Sequence, residues 1–281
     1  MVNNSGNILQ EADCVLSVNN RGFNYGDAIF ETIKVSHSKI LFLEDHYFRL
    51  MASMRILRME IPMNFTLEFL ENEIFKLVEA NKQSHRSVRI KIVVYRQSEG
   101  LYTPNSNNVS FLITHKELNN DFYEFNDKTY KVDLYKDHYI SPSLLSTLKS
   151  NNRLINIIGG IYAKENGLDN CLLLNTNKTV VEALSSNIFL VKGNTVKTPP
   201  LSDGCIKGVM RKQIIEIVSL IPEYSIIEDS ISPFELQKAD ELFLTNVITG
   251  IQPITNYRKK QFSTNFSKNI LAKLNVKVRL T

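Results

Sequence analysis

Lysine, glutamate and arginine carry the chemistry this chain is equipped for, because the other common constellations are missing. His37, His46, His85, His115 and His138 show no metal-ligand spacing with one another or with Cys14, Cys171 and Cys205, so no metal site is expected. There is no Gly-x-Gly-x-x-Gly and no Walker-type loop, which argues against dinucleotide and P-loop nucleotide binding. Ser185-Ser186 lacks the flanking glycines of a nucleophile elbow. What remains is lysine, glutamate and arginine chemistry.

Such groups need elements to hold them. Ile33–Val35 and Ile40–Phe42 flank His37-Ser38-Lys39 and predict a β-hairpin. A helix is expected from about Glu44, with Tyr47, Leu50, Met51, Met54 and Leu57 on one face, stopping before Pro62. A second runs from about Thr66, with Leu67, Leu70, Ile74 and Leu77 on one side, and Val88–Tyr95 and Val109–Thr114 predict strands. Glu117–Lys128 is polar and turn-prone, so a linker over 119–128 is expected to separate a domain over 1–118 from a larger one over 129–281. In the second half, Tyr130–Asp137 alternates like a strand, and Asn152–Asn166 is helical before Gly167. Val180–Val191 and Thr195–Thr198 bracket a hairpin turn at Lys192-Gly193-Asn194. Val209–Leu220 predicts an amphipathic helix entered from a glycine-containing loop, and Glu241–Asn246 a further strand. Helices and strand-rich segments mixed in both halves indicate an α+β protein of two domains.

Composition sets the outer limits. The 281 residues are 43% hydrophobic and 22% charged, enough to build a packed core. A net charge of +4 is too small and too scattered to argue for nucleic acid or an anionic membrane as partner. No apolar run approaches the ~20 residues of a spanning helix. The N-terminus Met-Val-Asn-Asn-Ser-Gly-Asn shows no secretory signal, and the odd, scattered cysteines fit a reducing cytoplasm, where the protein is expected to reside.

Three regions of sequence stand out together. The first is Asn20-Arg21-Gly22-Phe23-Asn24-Tyr25-Gly26-Asp27-Ala28-Ile29-Phe30-Glu31-Thr32, and the second is His46-Tyr47-Phe48-Arg49-Leu50. The third is Thr147-Leu148-Lys149-Ser150-Asn151-Asn152-Arg153-Leu154, followed by Val181-Glu182-Ala183-Leu184-Ser185-Ser186-Asn187 and Gly204-Cys205-Ile206-Lys207-Gly208-Val209-Met210-Arg211. In this order and spacing they resemble the class-IV aminotransferase family, pyridoxal-phosphate enzymes of fold type IV. That family includes branched-chain and D-amino-acid aminotransferases and 4-amino-4-deoxychorismate lyase. The resemblance runs over about residues 15 to 255. It implies a small N-terminal α/β sandwich, a larger C-terminal pseudo-barrel domain, the cofactor between them, and a homodimer acting on a small-molecule amino substrate.

The resemblance also implies roles. Lys149 matches the family's Schiff-base lysine, which can serve as general base when its pKa is lowered; without the flanking motif it would read as a solvated surface lysine. Glu182 matches the carboxylate that keeps the pyridine nitrogen protonated, and so makes the ring an electron sink. Arg49 matches a phosphate-binding arginine, expected to be free because it falls off the apolar face of its helix. Val209 and Met210 open a helix after Gly208, where unpaired amides attract an anion. Val247 stands near a position where aminotransferases often have a phosphate-contacting hydroxyl, so Thr245 or Asn246 is expected to substitute. Tyr25 and Phe30 match aromatic positions on the substrate side, with core packing the plain alternative. Arg96 loosely matches an arginine that some members use for a substrate carboxylate.

Lysine and electron sink serve lyase and aminotransferase alike. Lys149, two residues, Asn152 and Arg153 are similar to the lyase pattern, and Leu154 stands where branched-chain enzymes usually have a glycine-rich stretch and a tyrosine. The lyase is the first expectation, and a branched-chain or D-amino-acid aminotransferase the alternative. A cofactor-free binding protein on the same fold is disfavoured by the joint retention of Lys149, Glu182 and Arg49.

Overall fold

A computed structural model describes residues 1–280, and the chain parts into two units. The first comprises Met1–Phe122 and Leu148–Asn152; the second comprises Tyr123–Thr147 and the chain from Arg153 on. The break at Tyr123 falls inside the stretch read as a linker, but Leu148–Asn152 returns to the first unit, which contiguous sequence domains could not anticipate.

The first unit is a six-stranded antiparallel sheet in the order β2-β1-β6-β5-β3-β4. Its strands are β1 (Val2–Asn4), β2 (Asn7–Leu9), β3 (Ala28–Ser36), β4 (Lys39–Ile40), β5 (Val88–Arg96) and β6 (Val109–Glu117), and a short helix α1 (Arg21–Asn24) precedes β3. On β5, buried Val88, Ile90, Ile92 and Val94 alternate with half-buried Arg89, Lys91, Val93 and Tyr95, the period-2 pattern of a strand with two different faces. Helices α2 (Leu43–Ile56) and α3 (Leu67–Ala80) cover the apolar face, packing Leu50, Met51, Met54, Leu70, Ile74 and Leu77 against Ile29, Ile33, Ile90 and Ile92. The Thr66 hydroxyl caps α3 by accepting from the Phe69 amide at 3.1 Å. The β3–β4 turn is tighter than the sequence indicates: His37 and Ser38 occupy it alone, both at positive φ, and Lys39 already belongs to β4.

The second unit has two five-stranded sheets. One is ordered β12-β11-β10-β13-β14, from β10 (Asn187–Lys192), β11 (Thr195–Thr198), β12 (Ser225–Glu228), β13 (Glu241–Asn246) and β14 (Gly250–Ile254). The other is β16-β15-β7-β8-β9, from β7 (Lys131–Ile140), β8 (Asn170–Asn175), β9 (Val180–Ala183), β15 (Asn256–Tyr257) and β16 (Lys260–Gln261). Val132, Leu172 and Val180 of one sheet share a core with Ile188, Leu242 and Leu244 of the other. Its helices are α4 (Leu154–Glu165), α5 (Val209–Ser219), α6 (Pro233–Lys238) and α7 (Asn265–Leu280). Gly167, at φ +63°, ends α4 in the left-handed conformation expected of it. The run Val180–Val191, read as one strand, is two: β9 and β10 part at Leu184-Ser185-Ser186, where the Ala183 amide bonds the Ser186 carbonyl.

Candidate functional site

In the first unit the site grows from the N-terminal end of β3. Leu148–Asn152 runs beside it: the Phe30 amide donates to the Lys149 carbonyl at 2.8 Å, the Asn151 amide to the Ala28 carbonyl at 2.9 Å, and Ile29 bridges Ser150. Leu148 and Ser150 are buried, so the alternation turns Lys149 the other way, where its Nζ lies 4.2 Å from the centroid of the Phe30 ring. An amine held over an aromatic face is fixed in position, and the ring excludes water from one side of it.

Glu31, the next residue, points to the opposite face of the sheet and meets α2. His46 and Arg49 lie one turn apart there. His46 Nδ1 lies 2.7 Å from Glu31 Oε2, and Arg49 grips the same carboxylate through Nε at 2.7 Å and Nη2 at 2.5 Å. Burial drives the Glu31 pKa upward, but the Arg49 guanidinium and the His46 ring outweigh it and hold the carboxyl at about 2. Burial lowers His46, with Glu31 opposing, so the imidazole is neutral and donates from Nδ1. Its Nε2 is buried without a hydrogen-bond partner. The expectation that Arg49 is free is therefore corrected. Leaving the Tyr47–Leu50 stripe places it on the side of α2 that faces an acid on β3.

Arg96 is equally committed. It donates from Nε to Asp27 at 2.9 Å, from Nη1 to the Arg58 carbonyl at 3.3 Å and Asn107 Oδ1 at 2.5 Å, and from Nη2 to the Leu57 carbonyl at 2.7 Å. Asp27 also accepts from Arg21 Nε at 2.8 Å, and Arg21 reaches the Gly100 and Leu101 carbonyls. Arg96 thus reaches Asn107 across residues 97–106, and Arg21 holds carbonyls within that stretch. Tyr25 is exposed, with the Arg21 guanidinium 5.0 Å from its ring and Tyr102 5.9 Å away, so it is remote from any core.

In the second unit Glu182 sits on β9, buried, accepting from the Ile206 amide at 2.9 Å. Arg153, half-buried at the start of α4, has its pKa lowered by burial against the pull of the Glu182 charge, which marks the two as neighbours. Beyond Ile206, Gly208 begins α5 in an extended conformation and no side chain caps it. The first amides, on Val209 and Met210, are the unpaired donors that favour an anion. A Cβ on Gly208 would run into Asn187 Oδ1, and Asn187 Nδ2 in turn holds the Ile206 carbonyl at 2.9 Å. Asn187 pairs in register with Thr245 on β13, whose hydroxyl is buried without a hydrogen-bond partner. Asn246 has its side chain engaged, donating to Ser186 Oγ at 3.0 Å and accepting from the Ile248 and Thr249 amides at 2.9 Å. Of the two substitutes read for Val247, Thr245 is the one with an unspent hydroxyl.

In the second unit an uncapped helix start, a glycine that only its own lack of a side chain lets in, and an orphaned hydroxyl suit a phosphate, and a buried carboxylate suits a protonated ring nitrogen. In the first unit a fixed amine suits a carbonyl group. Among the described residues no group of three or more His, Cys, Asp or Glu could hold a metal ion, and no helix is long and apolar enough to cross a membrane. Glu31, His46 and Asn187 stand within the motifs read from the sequence but were given no role there, and Thr245 was named only as a substitute.

Comparison with known proteins follows the same line. The family profile described as amino-transferase class IV matches residues 28–257. The chain is 26% identical over 251 residues to a putative branched-chain-amino-acid aminotransferase of Methanocaldococcus jannaschii, covering 89% of this chain and 85% of that one. It is 27% identical over 275 residues to the aminodeoxychorismate lyase of Bacillus subtilis, covering 94% and 89%. A solved branched-chain amino acid aminotransferase from Thermobaculum terrenum, in its PLP form, has a TM-score of 0.86 at 20% identity over 99% of this chain and 93% of that one.

Proposed function

The chain belongs to the class-IV aminotransferase family, and we propose that within it the protein is the lyase that expels pyruvate from 4-amino-4-deoxychorismate and leaves 4-aminobenzoate. It is a pyridoxal-phosphate enzyme with the family's fold type IV architecture. When bound, the cofactor supplies an aldehyde for the substrate amine and a ring that takes up the electrons left when the α-proton departs.

The chain's own residues account for the rest. Lys149 is the amine that holds the cofactor and then carries the α-proton, and Phe30 fixes its ammonium. Glu182, anchored by the Ile206 amide, presents a buried carboxylate for the protonated pyridine nitrogen. The Val209 and Met210 amides and the Thr245 hydroxyl seat the phosphate.

The observation that carries the lyase over a transaminase is the run Lys149-Ser-Asn-Asn152-Arg153-Leu154. It lacks the glycine-rich stretch and tyrosine of branched-chain enzymes. Asn152 is seated against Gly26, where any side chain would collide with it, and Arg153 neighbours Glu182. The lyase reading also brings a cytoplasmic setting and a role in folate synthesis. A homodimer is part of it, supported by an apolar stripe on α4: Leu154, Ile157, Ile158 and Ile161 are 72%, 57%, 41% and 52% exposed.

The test is to purify the protein with pyridoxal phosphate, record its near-visible absorbance, add 4-amino-4-deoxychorismate and assay both products. The lyase gives 4-aminobenzoate and pyruvate in equal amounts, and Lys149→Ala loses the lysine-bound absorbance and nearly all turnover. Absorbance without products, and turnover of branched-chain or D-amino acids with a keto acid, would move the protein to the aminotransferases, as the Methanocaldococcus similarity allows.

A further inference from the structure

One buried side chain interrupts an otherwise polar stretch near the start of the second unit. Among the described residues from Asn119 to Thr129, none lies in a helix or strand and Tyr123 alone is buried, 4% exposed. Its place is set from a distance. Asn275 on α7 accepts from the Tyr123 amide at Oδ1, 3.1 Å away, and donates from Nδ2 to the Tyr123 carbonyl at 2.8 Å. This exchange satisfies both backbone groups of a residue that has no ladder or helix of its own.

From there the side chain reaches the turn between β13 and β14. Val247-Ile248-Thr249 makes that turn, just past the last ladder pair, Asn246 with Gly250. The Tyr123 hydroxyl donates to the Val247 carbonyl at 2.9 Å, across 124 positions of sequence. Its ring lies against Gly250, where an added Cβ would sit 2.7 Å from Tyr123 Cγ. Gly250 is also at φ +70°, so glycine is needed there both for the backbone and for the ring packed on it. Tyr123 thus grips the turn at its entry and at its exit. Asn246 Oδ1 takes the Ile248 and Thr249 amides, and the Tyr123 contact adds the third turn residue. Burial raises the Tyr123 pKa, so the hydroxyl stays protonated and keeps donating across the ordinary pH range. A phenylalanine would fill the same space; the hydrogen bond is what the tyrosine adds.

The turn matters because of its neighbour. Thr245, one residue before the last ladder pair, carries the buried hydroxyl without a partner. Turns open more readily than the strands they join, and an open turn frays the ladder pairs next to it. Resting on the phosphate seat proposed above, we propose that Tyr123 is a positioning residue for that seat. By fixing Val247 and Gly250 it holds the end of β13, and with it the Thr245 hydroxyl, in the place where the phosphate binds. Tyr123 itself touches no reacting atom, so its contribution is to affinity for the phosphate group.

Full-length protein, freed of cofactor with hydroxylamine and dialysed, is titrated with pyridoxal phosphate and with pyridoxal, which has the same aldehyde and ring without the phosphate. Lysine-bound absorbance reads both. Wild type is expected to bind pyridoxal phosphate more tightly. Tyr123→Phe keeps the ring on Gly250 and removes only the hydroxyl. It should weaken pyridoxal phosphate about five-fold, the effect of one hydrogen bond, and leave pyridoxal within about two-fold. Asn275→Ala loosens the same side chain from behind and should give the same one-sided loss. An unfolding midpoint within about 5 °C of wild type shows that a variant is folded, and if Tyr123→Phe falls outside that window Asn275→Ala decides. Equal weakening of both compounds, or no weakening of either, would overturn the proposal. No products are assayed, so the choice between lyase and aminotransferase does not enter. A phosphate preference in wild type that the variants leave intact removes the positioning role alone. A wild type without that preference removes the phosphate seat, and the positioning role with it.

Discussion

At the residue scale the centre of the first unit is a carboxylate with two cation-capable partners. Glu31 is buried beside Arg49 and His46, and its charge is retained because a guanidinium fork and an imidazole N–H replace the water it has lost. Its pKa is depressed to about 2, so its contribution to stability is complete above the ordinary carboxylate range and is lost as pH falls through that range toward 2. His46, also depressed, adds to the same trend: below the ordinary imidazole value the unfolded chain binds a proton that the folded one refuses. Glu31→Gln should cost about 3 kcal/mol or more at pH 7, because Arg49 is left buried without its counter-charge. Urea unfolding of both proteins from pH 7 down to 3 checks it, and the variant's loss should be smallest at the acid end. An unchanged midpoint at pH 7 would mean the trio is not stabilising. Lys149, Glu182 and Phe30 stood out in the sequence because their neighbours form a recognisable order. Glu31 and His46 did not, because a glutamate on a strand and a histidine on a helix look the same whether solvated or paired across a core.

At the element scale, amphipathic periodicity located the starts of α2 and α3 and both ends of α5, and Val and Ile content located β5, to within a residue or two; α2 ends at Ile56, well short of Pro62. The pairing that matters most was out of reach. Leu148–Asn152 has no strand pattern of its own and is ordered by hydrogen bonds to β3. Helix α7, also unread, begins on a side chain far away in sequence: buried Glu241 on β13 accepts from the Phe266 and Ser267 amides at 2.8 and 3.0 Å and from the Ser263 and Ser267 hydroxyls at 2.9 and 2.8 Å. A carboxylate at a helix start satisfies orphan amides and complements the dipole. Glu241→Ala, which leaves those donors buried and unpaired, should cost about 2 kcal/mol or more. Hydrogen exchange should show the amides of Phe266 and Ser267 losing protection first; loss spread evenly over the second unit would argue against a capping role.

At the scale of the whole molecule, the apolar stripe of α4 departs from an ordinary water-facing helix. If it is a subunit interface, light scattering should give twice the 32.2 kDa chain mass, and Ile157→Glu with Ile161→Glu should return the mass to that of one chain. A single-chain mass for the unaltered protein would remove the dimer from the reading. Sequence by itself pointed to the family: the order of Arg49, Lys149, Glu182 and the Gly208–Met210 segment resembles class-IV aminotransferases, and the family profile matches residues 28–257. It also determined the amphipathic elements, whose apolar faces are local properties. Tertiary structure alone decided how each group is used. Arg49 became a paired cation and Arg96 a structural tie. Pairing across a sheet or a core depends on which distant residues the fold sets face to face, and no local pattern records that.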